Sequence, residues 1–309
     1  MSSLFDRRFL IVIGKGGVGK TTVSASLAMA AAKKGKRVLV AMCHTKERLS
    51  DLYAVDPIDD NVRTVLPNID AVNMKPETAL SEYGVMVLKS RTLSKAIFDN
   101  RFVAAFLHGV PGLDAWTMLG KAYYHATNQR DDGTPEYDLV ILDAPATGHG
   151  LDMLRVPRVL MDVAPPGLLR REAEKAWKLF QDAVRSGIVL VSLAEEMPAN
   201  ETVELHAAVT RELKLPVARL ILNAVLPKLF SEDEGKAILE LPTSLSPGSA
   251  LASLVIAARA RSLRERVQES AEKRLDDALR LPRTNLPFVF TANFNRNDVN
   301  TLADALVDA

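Results

Sequence analysis

Short, nearly continuous apolar runs recur along the chain, separated by longer stretches with helical spacing. Such runs are typical of strands that are covered on both faces, because neither face then needs polar residues. Helices are predicted over residues 21–34, 202–213 and 250–281. The alternation predicts an α/β fold with a doubly wound, mainly parallel sheet of about seven to eight strands. The apolar runs lie at residues 9–13, 37–42, 69–74, 138–142, 188–193, 218–222 and 287–290.

Two stretches without a clear strand interrupt this alternation, at residues 75–128 and 152–186. Helical spacing is found at 79–88, 94–108 and 154–186. We expect one domain over residues 1–309, with a helical subregion formed by the two stretches. The helix at 94–108 carries an apolar stripe, which either faces the core or lines a groove for a partner helix. Its residues are Ile97, Phe98, Phe102, Phe106 and Leu107.

The composition excludes several classes of function. The formal net charge is +1, from 39 basic and 38 acidic residues, so nucleic-acid binding is not expected. Cys43 is the single cysteine, which excludes an intrachain disulfide and a zinc site built from cysteines of one chain. No run reaches the roughly 18 apolar residues that a spanning helix needs. We therefore expect a cytoplasmic protein without an integral membrane segment.

Residues 14–22 read Gly-Lys-Gly-Gly-Val-Gly-Lys-Thr-Thr, between a predicted strand and a predicted helix. A glycine, four further residues and then Gly-Lys-Thr form a phosphate-binding P-loop. The glycines let successive backbone N–H groups point inward, towards phosphate oxygens. Lys20 is expected to reach the phosphates of ATP or ADP, and the Thr21 hydroxyl to bind Mg²⁺. The nucleotide-binding residues predicted here are Gly16, Gly17, Val18, Gly19, Lys20, Thr21 and Thr22.

Asp143 directly follows the apolar run at 138–142. Ligands of open α/β sheets bind at the carboxyl ends of parallel strands, where this side chain is predicted to lie. With Thr21, Asp143 is the predicted ligand of Mg²⁺, through water. The alternative is a cap that only satisfies the end of the strand.

Lys15, directly after the first glycine of the loop, resembles the extra lysine of the "deviant" P-loop class. That class includes plasmid-partition ATPases, septum-positioning ATPases, nitrogenase iron protein and the arsenite-pump ATPases. Residues 143–151, Asp-Ala-Pro-Ala-Thr-Gly-His-Gly-Leu, resemble a switch of the arsenite-pump and tail-anchored-protein targeting ATPases. Leu49-Ser50-Asp51 resembles the end of the family's first switch.

The resemblance implies a role for each matching residue. Lys15 would act as a catalytic lysine that reaches the phosphates of a second subunit, with Lys20 and Asp143 as further catalytic residues. Asn223, Pro287 and Phe294 would contact adenine. The implied assembly is a homodimer or a heterodimer with a paralogue, acting on a hydrophobic client or other partner protein. The implied switch residues are Asp51, Thr147, Gly148 and His149.

The chain departs from the family pattern at three points. His44 stands where the family has an aspartate that positions the attacking water, so hydrolysis is expected to be slow. His44 either orients water, given the near-neutral pKa of histidine, or is an ordinary loop residue; Glu47 and Asp51 are alternatives. The zinc and arsenite cysteines are missing, and there is one P-loop instead of two. An arsenite-specific role is therefore disfavoured.

Three functions remain open. The first is a dimeric ATPase that couples its nucleotide state to a client protein. The second is a pseudo-ATPase, which binds ATP and signals by conformation. The third is a partition or positioning ATPase, which the C-terminal stretch 298–309 disfavours, because it has three acidic residues and no basic one.

Overall fold

The computed structural model describes residues 3–43, 46–88, 90–92, 112–145, 147–241 and 249–309, excluding the side chain of Thr147. These residues form an eight-stranded sheet with the order β3-β4-β2-β5-β1-β6-β7-β8. All neighbours are parallel except β3 and β4, which pair antiparallel at one edge. The strands are β1 (Phe9–Gly14), β2 (Val38–Cys43), β3 (Arg63–Leu66), β4 (Ile69–Met74), β5 (Leu139–Asp143), β6 (Ser186–Leu193), β7 (Val217–Val225) and β8 (Arg283–Pro287).

Ten helices are described. They are α1 (Lys20–Lys33), α2 (Leu49–Tyr53), α3 (Pro76–Leu88), α4 (Leu113–Thr127), α5 (Thr147–Val163), α6 (Leu168–Gln181), α7 (Glu196–Ala207), α8 (Glu232–Glu240), α9 (Ala250–Leu279) and α10 (Arg296–Asp304).

Helices cover both faces of the sheet. Side chains along each strand alternate between the faces, so each face has apolar side chains to bury. Leu10 and Val12 of β1 pack with α1, α2 and α10. Phe9 and Ile11 pack on the opposite face with α3 to α7 and α9. The sheet therefore separates two apolar cores, which explains why its strands have almost no polar positions.

Strand β1 lies in the centre of the sheet, and its register fixes what surrounds the loop after it. Val12 pairs with Asp143 of β5, and Gly14 pairs with Val191 of β6. The carboxyl ends of β1, β5 and β6 are thus adjacent. The loops that follow these three strands therefore meet at one edge of the sheet.

The fold class predicted from the sequence is confirmed, but one strand and one helix were wrongly placed. Residues 288–290 follow β8 instead of forming its centre, since β8 ends at Pro287. The predicted helix at 154–186 is two helices, α5 and α6, and Ser186 already belongs to β6. Pro165 and Pro166 lie between them, and two successive residues without a backbone N–H favour a break in the helix, whereas the single Pro157 is accommodated within α5.

Other differences are smaller. Strand β3 was not predicted, because it is a four-residue edge strand whose first two residues are not buried. Helix α7 begins at Glu196, earlier than predicted, and is continued by a π-helical turn over Ala208–Glu212. The apolar stripe predicted at 94–108 lies outside the described residues. Within the described ranges, no helix combines the length and apolar character needed to cross a membrane.

Phe180 of α6 is buried and joins three elements of one core. Its ring stacks on Phe9 of β1, with centroids 5.4 Å apart, and meets the Tyr123 ring of α4 edge-on at 6.3 Å. We expect Phe180→Ala to lower the free energy of unfolding by about 3–5 kcal/mol, because it leaves a cavity between the sheet and two helices. Urea denaturation measures this. Phe290→Ala is the control, since that ring is 69% exposed; equal losses in both variants would contradict this packing.

Candidate functional site

The loop between β1 and α1 requires glycine at two positions. At Gly14, a Cβ atom would lie 2.3 Å from the carbonyl oxygen of Val191 on β6. Gly19 caps α1 with φ +90°, a conformation that side chains disfavour, and its Cβ would lie 2.2 Å from Nδ2 of Asn223. The loop therefore lies tightly against β6 and β7.

Polar groups of this loop bond to each other. The Lys20 ammonium donates to the carbonyl oxygen of Lys15 at 3.0 Å, so it lies across the loop. The Asn223 amide donates to the carbonyl oxygen of Val18 at 2.9 Å. Burial lowers the pKa of Lys20, and the nearby Asp143 carboxylate opposes that shift. A partly buried cation in a glycine-rich loop at the N-terminus of a helix favours an anion such as phosphate.

Asp143 is buried at the end of β5, directly beside the start of α1. Its carboxylate accepts a hydrogen bond from the Thr21 hydroxyl at 2.6 Å and another from the Ser24 hydroxyl at 3.3 Å. Burial raises the pKa of Asp143 to about 6, although these hydrogen bonds and the Lys20 charge act against the shift. A hydroxyl and a carboxylate are the oxygen ligands that Mg²⁺ prefers, so these residues fit the predicted metal.

Ser24 was not predicted as part of the site. It lies one turn after Thr21, on the same side of α1, and residues three apart in a helix are neighbours. That spacing was the available signal in the sequence.

Lys15 forms an ion pair with Glu201 of α7, and both side chains are about one-third exposed. The pair lies in a cleft of about 650 Å³ beside the loop. Gly148 and His149, at the start of α5, line the same cleft and are exposed. The structure thus brings Lys15 together with two predicted switch residues. It adds Glu201, for which the sequence indicated no role.

A second cleft, of about 670 Å³, lies on the other side of the loop. Gly17 and Asn223 line it, together with Phe288 after β8. Gln268 of α9 forms one wall, fixed because its amide donates to the carbonyl of Leu226 at 3.1 Å and accepts from the Leu226 N–H at 2.9 Å. An aromatic ring, an aliphatic wall and an amide are groups that suit a nucleotide base.

Of the three predicted adenine contacts, the structure brings Asn223 to this cleft. Pro287 ends β8, and Phe294 lies beyond the strand; the lining of the cleft is formed by Phe288 instead. Phe288 lies in the stretch 287–295 that the resemblance places over adenine, but it was not singled out, because the last strand was predicted at 287–290, beginning four residues later than β8.

The remaining predicted residues lie either away from the two clefts or outside the described part of the chain. Asp51 is exposed on α2 and lines neither cleft described above. Glu47 accepts hydrogen bonds from the N–H groups of Ser50 at 2.8 Å and Ile58 at 3.4 Å, so it supports the start of α2. His44 is outside the described residues, and so is the side chain of Thr147, whose backbone begins α5.

Cys43 is buried at the end of β2. Its pKa is raised by burial and by the charge of Asp143. A buried thiol with a raised pKa stays protonated and is a poor nucleophile and metal ligand.

The sequence profile of the anion-transporting ATPase family matches residues 7–164. The chain belongs to the anion-transporting ATPase family. The segment matched by the family profile contains the P-loop, Asp143 and the start of α5, which are the elements that meet at the site. The predicted resemblance is confirmed.

Several relatives share sequence with the chain, and the first two below match more of it than the family profile does. ATPase BagA of Mycobacterium tuberculosis is 28% identical over 242 residues, which cover 76% of this chain and 71% of that protein. An arsenical pump-driving ATPase of Acidiphilium multivorum is 25% identical over 266 residues, covering 77% of this chain and 44% of the relative. ATPase GET3 of Kluyveromyces lactis is 30% identical over 161 residues, or 50% of this chain and 46% of that one.

The raised pKa of Asp143 gives a test in the absence of nucleotide and Mg²⁺. A carboxyl group whose folded pKa lies above its unfolded value of 3.8 destabilises the fold as it ionises, so the penalty grows as pH rises from about 4 to 6 and is complete above that range. We expect Asp143→Asn to be more stable than the unchanged protein at pH 8, by up to on the order of 3 kcal/mol. This advantage should shrink as pH falls to 4.

Urea denaturation at a series of pH values measures the difference. Asp131→Asn, in an exposed loop, is the matched control and should follow the unchanged protein throughout. A stability difference for Asp143→Asn that stays constant from pH 4 to 8 would contradict the raised pKa.

Proposed function

We propose that this chain is an ATP hydrolase whose nucleotide state opens and closes a dimer, and that the dimer acts on a client or partner protein. The observation that carries the proposal is the hydrogen bond between Thr21 and Asp143, made where the Lys20 loop meets the buried end of β5. It joins the two parts of a P-loop site that lie 122 positions apart. Membership of the anion-transporting ATPase family supports the same chemistry.

Each part of the site would have a distinct task. The loop amides and Lys20 would bind the phosphates, and the cleft with Asn223 and Phe288 would hold the base. Thr21 and Asp143 would hold Mg²⁺, which supplies positive charge to the phosphates when bound. Asp143 would then be ionised, because a cation beside it favours the charged carboxylate.

The dimer is supported by Lys15. Its side chain lies in a cleft beside the loop, and in the resembled class this lysine reaches the phosphates of a second subunit. The second subunit is either an identical chain or a paralogue. Nucleotide binding would reorder the switch around Gly148 and His149, since both are exposed in the same cleft.

The client would be a hydrophobic segment of a partner protein. In the described part of the helical subregion, Tyr83 of α3 and Trp116 of α4 are buried and meet edge-to-face at 5.9 Å, whereas Val163 of α5 and Leu168 of α6 are exposed. The apolar stripe at 94–108, the other predicted position of a client groove, lies outside the described residues. An arsenite-pump role is not proposed, because Cys43 is the single cysteine of the chain and is buried.

A pseudo-ATPase is the second candidate, favoured by one observation. His44 replaces the aspartate that positions water in the resembled family. A steady-state assay with Mg-ATP separates the candidates. Phosphate release no faster than in buffer, with tight ATP binding retained, would favour the pseudo-ATPase.

We expect Lys15→Ala and Lys15→Arg to lower the turnover number by about 100-fold or more, because a positive charge aimed at the transition state is lost or displaced. Nucleotide affinity should change little. Light scattering with Mg-ADP-aluminium fluoride should show a dimer for the unchanged protein. Lys175→Ala, an exposed lysine of α6, is the control. Unchanged turnover in both Lys15 variants would rule out the proposed role across the dimer.

We expect His44→Asp to raise the turnover number about tenfold or more, because a carboxylate in place of the imidazole restores the group that orients water in the family. The measurement is phosphate release at saturating Mg-ATP, with nucleotide affinity as the control for a merely altered site. If the variant is slower than the unchanged protein, the imidazole itself takes part in the reaction.

A further inference from the structure

The ion pair between Lys15 and Glu201 joins the P-loop to α7 within one chain. One carboxylate oxygen of Glu201 receives the lysine, whereas the other, Oε2, is buried and has no hydrogen-bond partner among the described residues. A buried carboxylate oxygen without a partner is unfavourable. Movement of this side chain into solvent would remove that penalty. The ion pair therefore persists only while no anion binds Lys15 more strongly than Glu201 does.

The backbone is fixed at both residues of the ion pair. Lys15 is fixed through its backbone, since its carbonyl oxygen accepts the Lys20 ammonium. Helix α7 is anchored by the buried side chains of Ala199 and Leu205. The backbones therefore keep their places, and the change open to the pair is a rotation of the two side chains.

Lys15 is also the cation of this cleft that is more available to bind an added anion. The other permanent cation of the lining is Arg155, which is already paired with Asp152 at 3.1 Å and with Glu212 at 2.8 Å. Lys15 has one carboxylate partner and is one-third exposed. A phosphate group with two or more negative charges attracts the ammonium more strongly than one carboxylate does.

We propose that Glu201 is a positioning residue that holds Lys15 within its own chain until nucleotide phosphates compete for it. This inference rests on the proposed function, in which Lys15 reaches the phosphates across a dimer. To reach the phosphates of a second subunit, the Lys15 side chain has to turn away from Glu201 of its own chain, so Glu201 raises the ATP concentration that dimerisation requires. Without Glu201, Lys15 projects freely from the loop and the dimer forms more readily.

Glu201→Gln tests the proposal, because it keeps the size of the side chain and removes its charge. Exposed ion pairs contribute modestly, so the ATP concentration for half-maximal dimerisation should fall about two- to fivefold, as measured by light scattering with Mg-ATP. Glu196→Gln is the matched control: it makes the same charge change at an exposed position of the same helix and should leave this concentration unchanged. At high salt, where ion pairs are screened, the effect should disappear.

A second measurement does not depend on dimerisation. In the absence of nucleotide, an amine-reactive reagent should label Lys15 about two- to fivefold faster in Glu201→Gln than in the unchanged protein or in Glu196→Gln, as counted by mass spectrometry. Equal labelling in all three proteins would overturn the restraint, and so would a loss of dimerisation in Glu201→Gln. If the unchanged protein never dimerises, the proposed function fails, while the labelling result still decides whether Glu201 restrains Lys15.

Discussion

The buried carboxylate of Asp143 is the constraint on which the rest of the site depends. A negative charge at the end of an apolar strand is unfavourable, and the raised pKa of Asp143 expresses that cost. The hydroxyls of Thr21 and Ser24 reduce the cost, which fixes the first turn of α1 against β5. With that turn fixed, the loop before it is confined between β6 and β7. The geometry of the phosphate site thus follows from a carboxylate that lacks a full counter-charge.

The two clefts on either side of the loop would have different roles in the proposed enzyme. The cleft with Asn223 and Phe288 has an aromatic and aliphatic lining that suits a base. The cleft with Lys15 and His149 carries charged groups and exposed backbone, which suits a phosphate and a second subunit. Because Gly17 borders one and Gly16 the other, a change in the loop reaches both.

Sequence patterns predicted those features of the site that depend on residues close together in the chain. The P-loop was found from its glycine spacing, and Asp143 from its place after an apolar run, because both signals lie within a few residues. The contact between Lys15 and Glu201 joins residues 186 positions apart, and it depends on how α7 leaves β6. Phe288 was missed for a related reason: the apolar residues 288–290 resemble a strand, whereas the pairing with β7 ends at Pro287. Sequence spacing alone cannot supply either arrangement.

The double hydrogen bond between Gln268 and the backbone of Leu226 ties the base cleft to a helix of 30 residues. Gln268 lies past the middle of α9, and the helix is also held before it, where the Ser262 hydroxyl donates to the carbonyl oxygen of Gly235 in α8 at 3.1 Å. With a rise of about 1.5 Å per residue, the first residues of α9 lie roughly 27 Å from Gln268. Leu251, Leu254 and Ile256, all exposed, lie at that end. In the proposed function, a base in the cleft would therefore contact the same helix that carries this exposed apolar surface.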